Sequence, residues 1–119
     1  MKVLGATLLF LFAIPMMADS TTGQRLLDMC TSPIESSDLT YCLGYLDAAI
    51  EFITLGEAAC APSSDTNPHL QAVNLGQYRL IVIKWMQDNP ETLHENAAYE
   101  VMRAVSKAFP CRNIAGAKR

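Results

Sequence analysis

The sequence predicts an all-α domain, a small antiparallel bundle of about four helices tied by two disulfides. Three observations carry this reading. Apolar residues recur every three to four positions along each long segment, cap and breaker residues separate the segments, and four cysteines follow an apolar leader. The 119 residues leave room for one domain.

The leader comes first. Lys2 gives a positive start, Val3 to Met17 is uncharged and apolar, and Ala18 is a small residue just ahead of Asp19. A charged head, a short apolar stretch and a small residue at the junction are the layout of a secretory signal peptide. A membrane span needs about 20 apolar residues, and this run is shorter and contains Pro15. The expected division is therefore a signal peptide over residues 1–18 and an exported helical domain over 19–119. Nine basic side chains less Lys2, against twelve acidic ones, take the formal net charge from −3 to −4. Such a surface offers no basic patch for a phosphate backbone, which argues against nucleic acid as a partner. Half the residues are hydrophobic, which argues against disorder.

The first helix is expected over about Thr22 to Cys30, with Thr21 as its cap and Gln24 in the reciprocal position. Pro33 then breaks the chain, and Ser36, Ser37 and Asp38 offer caps for a second helix from about Leu39 to Leu55. There Leu39, Leu43, Leu46, Ile50 and Ile53 recur at spacings of four, three, four and three, one buried stripe, while Asp47 and Glu51 fall on the water side. Gly56 is a natural stop. Glu57 to Val73 reads as a connection rich in breakers, with a turn of helix conceivable over Pro68 to Ala72. A link of that length is unusual in a compact domain, and such links are often either functional or loosely ordered.

The third helix starts after Asn74, with Gln77 completing a capping box, and Tyr78, Ile81, Val82 and Trp85 give it an apolar face. The apolar run Leu80 to Ile83 could form a strand, but the cap and the length of the pattern decide for a helix. Asn89 and Pro90 end it and start a fourth helix, expected over Glu91 to Phe109, whose inner side is Leu93, Ala97, Val101, Ala104, Val105 and Ala108. Pro110 stops it, and Arg112 to Arg119 is a polar tail. The aromatic residues Tyr41, Tyr45, Phe52, Tyr78, Trp85, Tyr99 and Phe109 are expected mainly in the core.

An export signal with an even cysteine count implies disulfides, because the destination is oxidising. In an up-and-down bundle the end of helix one meets the start of helix two, bringing Cys30 near Cys42. The ends of helices two and four share the opposite end, bringing Cys60 near Cys111.

Catalytic chemistry finds little support. Two histidines, His69 and His94, lie in a Pro-rich loop and an expected first helical turn, and no nucleophile-elbow sequence appears. Bridged cysteines are not thiolate nucleophiles. Neither the cysteine nor the histidine spacing suits a metal, and the six glycines form no phosphate-binding loop, so no cofactor or metal is expected. The acidic residues Asp65, Asp88 and Glu91, in the long link and the elbow between helices three and four, are candidates for a surface that enters a partner's cleft.

Several short pieces occur in order: Cys42-Leu43-Gly44-Tyr45-Leu46, Cys60-Ala61-Pro62 and Val73-Asn74-Leu75-Gly76-Gln77. They continue through Trp85-Met86 and Asn89-Pro90-Glu91 to Ala97, Ala104 and Ala108-Phe109-Pro110-Cys111. Together they resemble the Rap/Tai family of periplasmic immunity proteins, which protect bacteria from amidase toxins of type VI secretion systems. The sequence departs from the family pattern at Asp47-Ala48, where a glycine is common, and in its long link from Cys60 to Asn74. The resemblance implies a non-enzymatic, periplasmic helical protein that binds a peptidoglycan-cleaving amidase and blocks its active site, with homodimerisation an open option. The competing expectation is a small acid-stress chaperone of the HdeA kind, also exported, helical and disulfide-bonded.

Overall fold

The computed structural model describes residues 20–62 and 72–111. The expected signal peptide, residues 68–71 of the conceivable helical turn, His69, Asp65 and the tail from Arg112 lie outside them. Four α-helices form the domain: α1 (Gly23–Cys30), α2 (Ser37–Leu55), α3 (Leu75–Asp88) and α4 (Ala97–Ala108). Both disulfides pair as the bundle topology predicts, Cys30 with Cys42 and Cys60 with Cys111.

Local sequence sets most boundaries. Ser36 caps α2 by accepting a hydrogen bond from the Leu39 amide at 3.1 Å, so the helix begins two residues before its apolar stripe. At the head of α3 the capping box is complete. The Asn74 side chain accepts from the Gln77 amide and the Gln77 side chain accepts from the Asn74 amide, each at 2.9 Å.

The end of α2 holds a surprise. Gly56 is the C-cap but has ordinary helical-side φ, while Glu57 takes the left-handed conformation with φ 55°. The Glu57 amide donates to the Thr54 carbonyl and the Ala58 amide to the Ile53 carbonyl. These paired bonds are a Schellman closure, whose left-handed place normally favours glycine. The glycine is one residue too early, and a glutamate carries the strain.

Two expectations are corrected where α1 meets the start of α4. The cap of α1 is Thr22, not Thr21, with its hydroxyl accepting from the Arg25 amide at 3.3 Å. Gln24 donates to Asp28 and does not return to the cap. Thr21 is occupied elsewhere, its carbonyl accepting from the Ala97 amide at 2.8 Å, and Thr22 and Asn96 form an antiparallel bridge. The fourth helix is also not continuous from Glu91. Pro90–Thr92 forms one 3-10 turn, and α4 starts only after Asn96, whose side chain caps it by accepting from the Ala98 amide. A helix running through this region would use its carbonyls internally. Instead the carbonyls of Leu93 and Glu95 accept from the amides of Gln24 and Gly23 at 2.8 and 2.9 Å, satisfying donors that the start of α1 would leave unpaired.

The core gathers Leu26 and Met29 of α1, Leu39, Leu46 and Ile53 of α2, Val82 and Met86 of α3, and Val101 and Val105 of α4, with Cys30 and Cys42 fully buried among them. Ile50, Ile81 and Leu93 only half enter it, Leu43 is half-buried without joining it, and Ala108 is exposed instead of buried. At the far end the Cys60 amide donates to the Phe109 carbonyl and the Ser106 hydroxyl to the Ala58 carbonyl, so the tail ends of α2 and α4 are joined by more than their disulfide.

Candidate partner interface

The elbow from Asn89 to Asn96 is held from beneath by a carboxylate. Glu100 is a charged residue on the inner stripe of α4, between Ala97 and Ala104, and it is fully buried. Its Oε2 accepts from the Trp85 indole at 2.9 Å and from the Thr92 hydroxyl at 3.1 Å, and its Oε1 from Arg103 at 3.0 Å. Three donors from α3, the elbow and α4 thus meet on one buried anion, which satisfies it as a buried charge requires. Arg103 also pairs with Glu95 at 2.6 Å. The hydrogen bond to Glu95, with the charges of Glu95 and Glu100, holds the guanidinium above its ordinary pKa against a smaller opposing effect of burial. Lys107 lies over the Trp85 ring at 5.8 Å, within cation–π range. Gly23 packs directly on this cluster. A Cβ there would stand 3.0 Å from the Glu100 Cγ and 3.2 Å from the Leu93 carbonyl.

The elbow presents two of the three predicted acidic residues. Asp88 and Glu91 are both exposed and flank the Asn89-Pro90 break. Asp88 pairs with Lys84 at 2.8 Å, an exposed helical pair of small energetic weight. Asn89 does not cap the following turn; its side-chain amide donates to the Trp85 carbonyl and closes α3. His94 is exposed on the same elbow.

A second surface is apolar. Three aromatics expected in the core are outside it, with Phe52 78% exposed, Tyr99 56% and Tyr41 53%, and Leu55 (80%) and Met102 (37%) join them. Tyr45, Trp85 and Phe109 are half-buried, and only Tyr78 is buried, edge-on to Phe109 at 6.0 Å. The reason is that α2 is apolar around most of its circumference. Leu39, Cys42, Leu46 and Ile53 face the core, leaving Tyr41, Tyr45, Ala48, Phe52 and Leu55 as an outward stripe. Tyr41 and Tyr45 stack at 6.4 Å, and Phe52 shares a groove of about 350 Å³ with Ala98, Tyr99 and Met102 of α4.

Among the described residues no three His, Cys, Asp or Glu side chains come together as a metal site requires, and no helix is long and apolar enough to cross a membrane.

The sequence reading missed Glu100, Glu95 and Arg103. Its available signal was a glutamate inside the Ala97–Val101–Ala104 spacing, with an arginine three residues on.

A family model described as Rap1a immunity proteins matches residues 22–111. That span opens at the cap of α1 and closes at the last bridged cysteine. Neither the curated proteins nor the solved structures gave a significant match.

Proposed function

The chain belongs to the Rap1a immunity protein family, and from that membership we propose that it is a periplasmic inhibitor of a peptidoglycan amidase toxin delivered by a type VI secretion system. Toxin immunity is the function the family carries. The observation that supports this most is the extent of the match, which covers all four helices and both disulfides. Two disulfides suit an oxidising compartment, in keeping with removal of residues 1–18 on export.

On this reading inhibition is tight binding without turnover. The exposed acidic elbow at Asp88 and Glu91 is the surface that meets the toxin and covers its catalytic cleft, and Asp65, outside the described residues, is the third acidic candidate for the same partner. The apolar stripe has a different partner, a second copy of the chain. With the α4 residues beside it, five exposed large side chains, Tyr41, Phe52, Leu55, Tyr99 and Met102, uncover on the order of 600 Å², taking about 150–250 Å² for a fully exposed large side chain. That approaches the roughly 800 Å² per partner of a standard interface.

The experiment is direct. Purified protein is titrated into each amidase encoded beside its gene, and release of peptidoglycan fragments is followed. Stoichiometric inhibition is expected, weakened at least about ten-fold, or roughly 1.4 kcal/mol, by D88K/E91K. If no neighbouring amidase is bound or inhibited, the reading is wrong. Sedimentation checks the second surface: the wild type runs as a dimer at micromolar concentration and F52E/Y99E as a monomer, whereas a monomeric wild type removes the self-association.

A further inference from the structure

The two disulfides are not equivalent. Cys30 and Cys42 are fully buried where α1 meets α2, whereas Cys60 and Cys111 are both exposed at the far end of the bundle. We propose that Cys60–Cys111 is a redox-addressable clamp on the α2–α3 link, opened by a dithiol while Cys30–Cys42 stays closed. As a regulation of the toxin-facing link it rests on the proposed function; as a difference between two bridges it stands on the geometry alone.

Thiol–disulfide exchange needs a thiolate to approach a sulfur in line with the bond. At Cys30–Cys42 that approach is blocked by Leu26, Leu46 and the rest of the core, so attack there requires the bundle to open. At Cys60–Cys111 solvent reaches both residues. One thiolate of a dithiol attacks either sulfur to give a mixed disulfide and release the other cysteine as a thiolate. The second thiol of the reagent, deprotonated, then displaces the remaining cysteine. The dithiol loses two electrons and two protons and becomes a disulfide; the protein gains both and holds two thiols. A thioredoxin-type dithiol protein is the class of partner that performs this exchange.

Opening the clamp leaves a defined remainder. The Cys60 amide still donates to the Phe109 carbonyl at 2.9 Å, the Ser106 hydroxyl to the Ala58 carbonyl at 2.8 Å, and Tyr78 still packs on Phe109. The four helices keep their core and the internal cross-link. What changes is the anchoring of the segment that starts at the strained Glu57 and passes through Cys60 into the link. The buried bridge holds the fold and the exposed bridge holds the link.

The test uses the full exported domain in graded dithiothreitol, followed by quenching with iodoacetamide and peptide mass mapping. Cys60 and Cys111 are expected to alkylate at least about ten-fold faster than Cys30 and Cys42, with the helical circular dichroism unchanged over the first phase. Digestion with endoproteinase Glu-C is then compared in the closed and opened forms. Cleavage after Glu57 is expected to rise at least about five-fold on opening. The C60S/C111S variant should fold with native circular dichroism and show the same fast cleavage. The proposal is overturned if all four cysteines label together, if helicity falls with the first bridge, if cleavage after Glu57 is unchanged, or if the double variant does not fold. None of these readings involves a toxin, so failure of the immunity assay and failure of the clamp are separately visible.

Discussion

Replacing Glu100 with alanine is the perturbation that most sharply tests how the elbow is held. The side chain is fully buried and accepts from Trp85, Thr92 and Arg103. Alanine would leave the indole N–H without an acceptor in a partly buried place and open a void behind Gly23, while the Thr92 hydroxyl keeps the Asn89 carbonyl at 3.1 Å. Breaking a buried charge cluster by removing one member costs about 3–5 kcal/mol, and each stranded donor about 1–3 kcal/mol. Arg103 keeps Glu95 and is partly exposed, so the lower end is expected, about 3 kcal/mol, from a total of roughly 5–15 kcal/mol for a domain of this kind. Glutamine keeps an amide oxygen for Trp85 and Thr92 and should cost roughly half as much or less. Trp85 is the only tryptophan, so its emission reports the cluster directly while circular dichroism reports the helices. Urea unfolding of wild type, E100A and E100Q should therefore give an ordered series, with a red-shifted native emission in E100A. A loss under about 1 kcal/mol in E100A with unchanged emission would refute the idea that this carboxylate fastens the elbow.

Other outcomes follow from single places in the fold. G23A drives a Cβ to 3.0 Å from Glu100 and 3.2 Å from a backbone carbonyl, and should lower stability by about 1–3 kcal/mol in denaturant titration, although alanine is the better helix former. E57G should raise the melting temperature, since a left-handed non-glycine residue costs about 1–2 kcal/mol and glycine relieves it at a smaller entropic loss. Burial raises the phenol pKa of Tyr78, and burial followed by the neighbouring Tyr41 raises that of Tyr45. Both titrate higher folded than unfolded, so their contribution is whole below the ordinary value of about 10 and is lost as pH climbs through the raised folded values. Melting temperature should fall above about pH 10, and fall less in Y45F/Y78F.

What the sequence made legible was whatever is decided within a few residues. Asn74 and Gln77 cap each other, Ser36 caps the next turn, and both signals survive any tertiary arrangement. The cross-links were legible for a related reason, since four cysteines at the ends of successive helices leave one pairing that crosses nothing. The break from Leu93 to Asn96 was not legible. Locally it has helical periodicity, and only the amides of Gly23 and Gln24, about seventy positions away in sequence, draw its carbonyls outward. The same long-range bonding moved the cap from Thr21 to Thr22. The outward aromatics of α2 were hidden by abundance, because a helix apolar on nearly every side does not declare which side is buried. The acidic candidates divide likewise: Asp88 and Glu91 sit exposed beside a break that the Asn-Pro pair announces.

The link from α2 to α3 is tethered at both ends, by Cys60–Cys111 on one side and by the Asn74–Gln77 capping box on the other. Binding through a long loop normally pays for ordering it, and tethers reduce that cost before the partner arrives. The capping box is the tether that can be removed without touching a cysteine. N74A should lower stability by about 1–2 kcal/mol, the usual loss for a helix cap, which is about 4–16 °C in melting temperature for a domain of this size. Q77A removes only the return bond and should lose less. If the link is the toxin-facing segment, N74A should also speed dissociation of the inhibited complex by several-fold at temperatures where the domain is still folded, with the association rate little changed. An N74A protein that loses stability as expected yet releases the toxin at the wild-type rate would place the binding energy on the elbow alone, because fraying the first turn of α3 would then have disturbed nothing the partner touches.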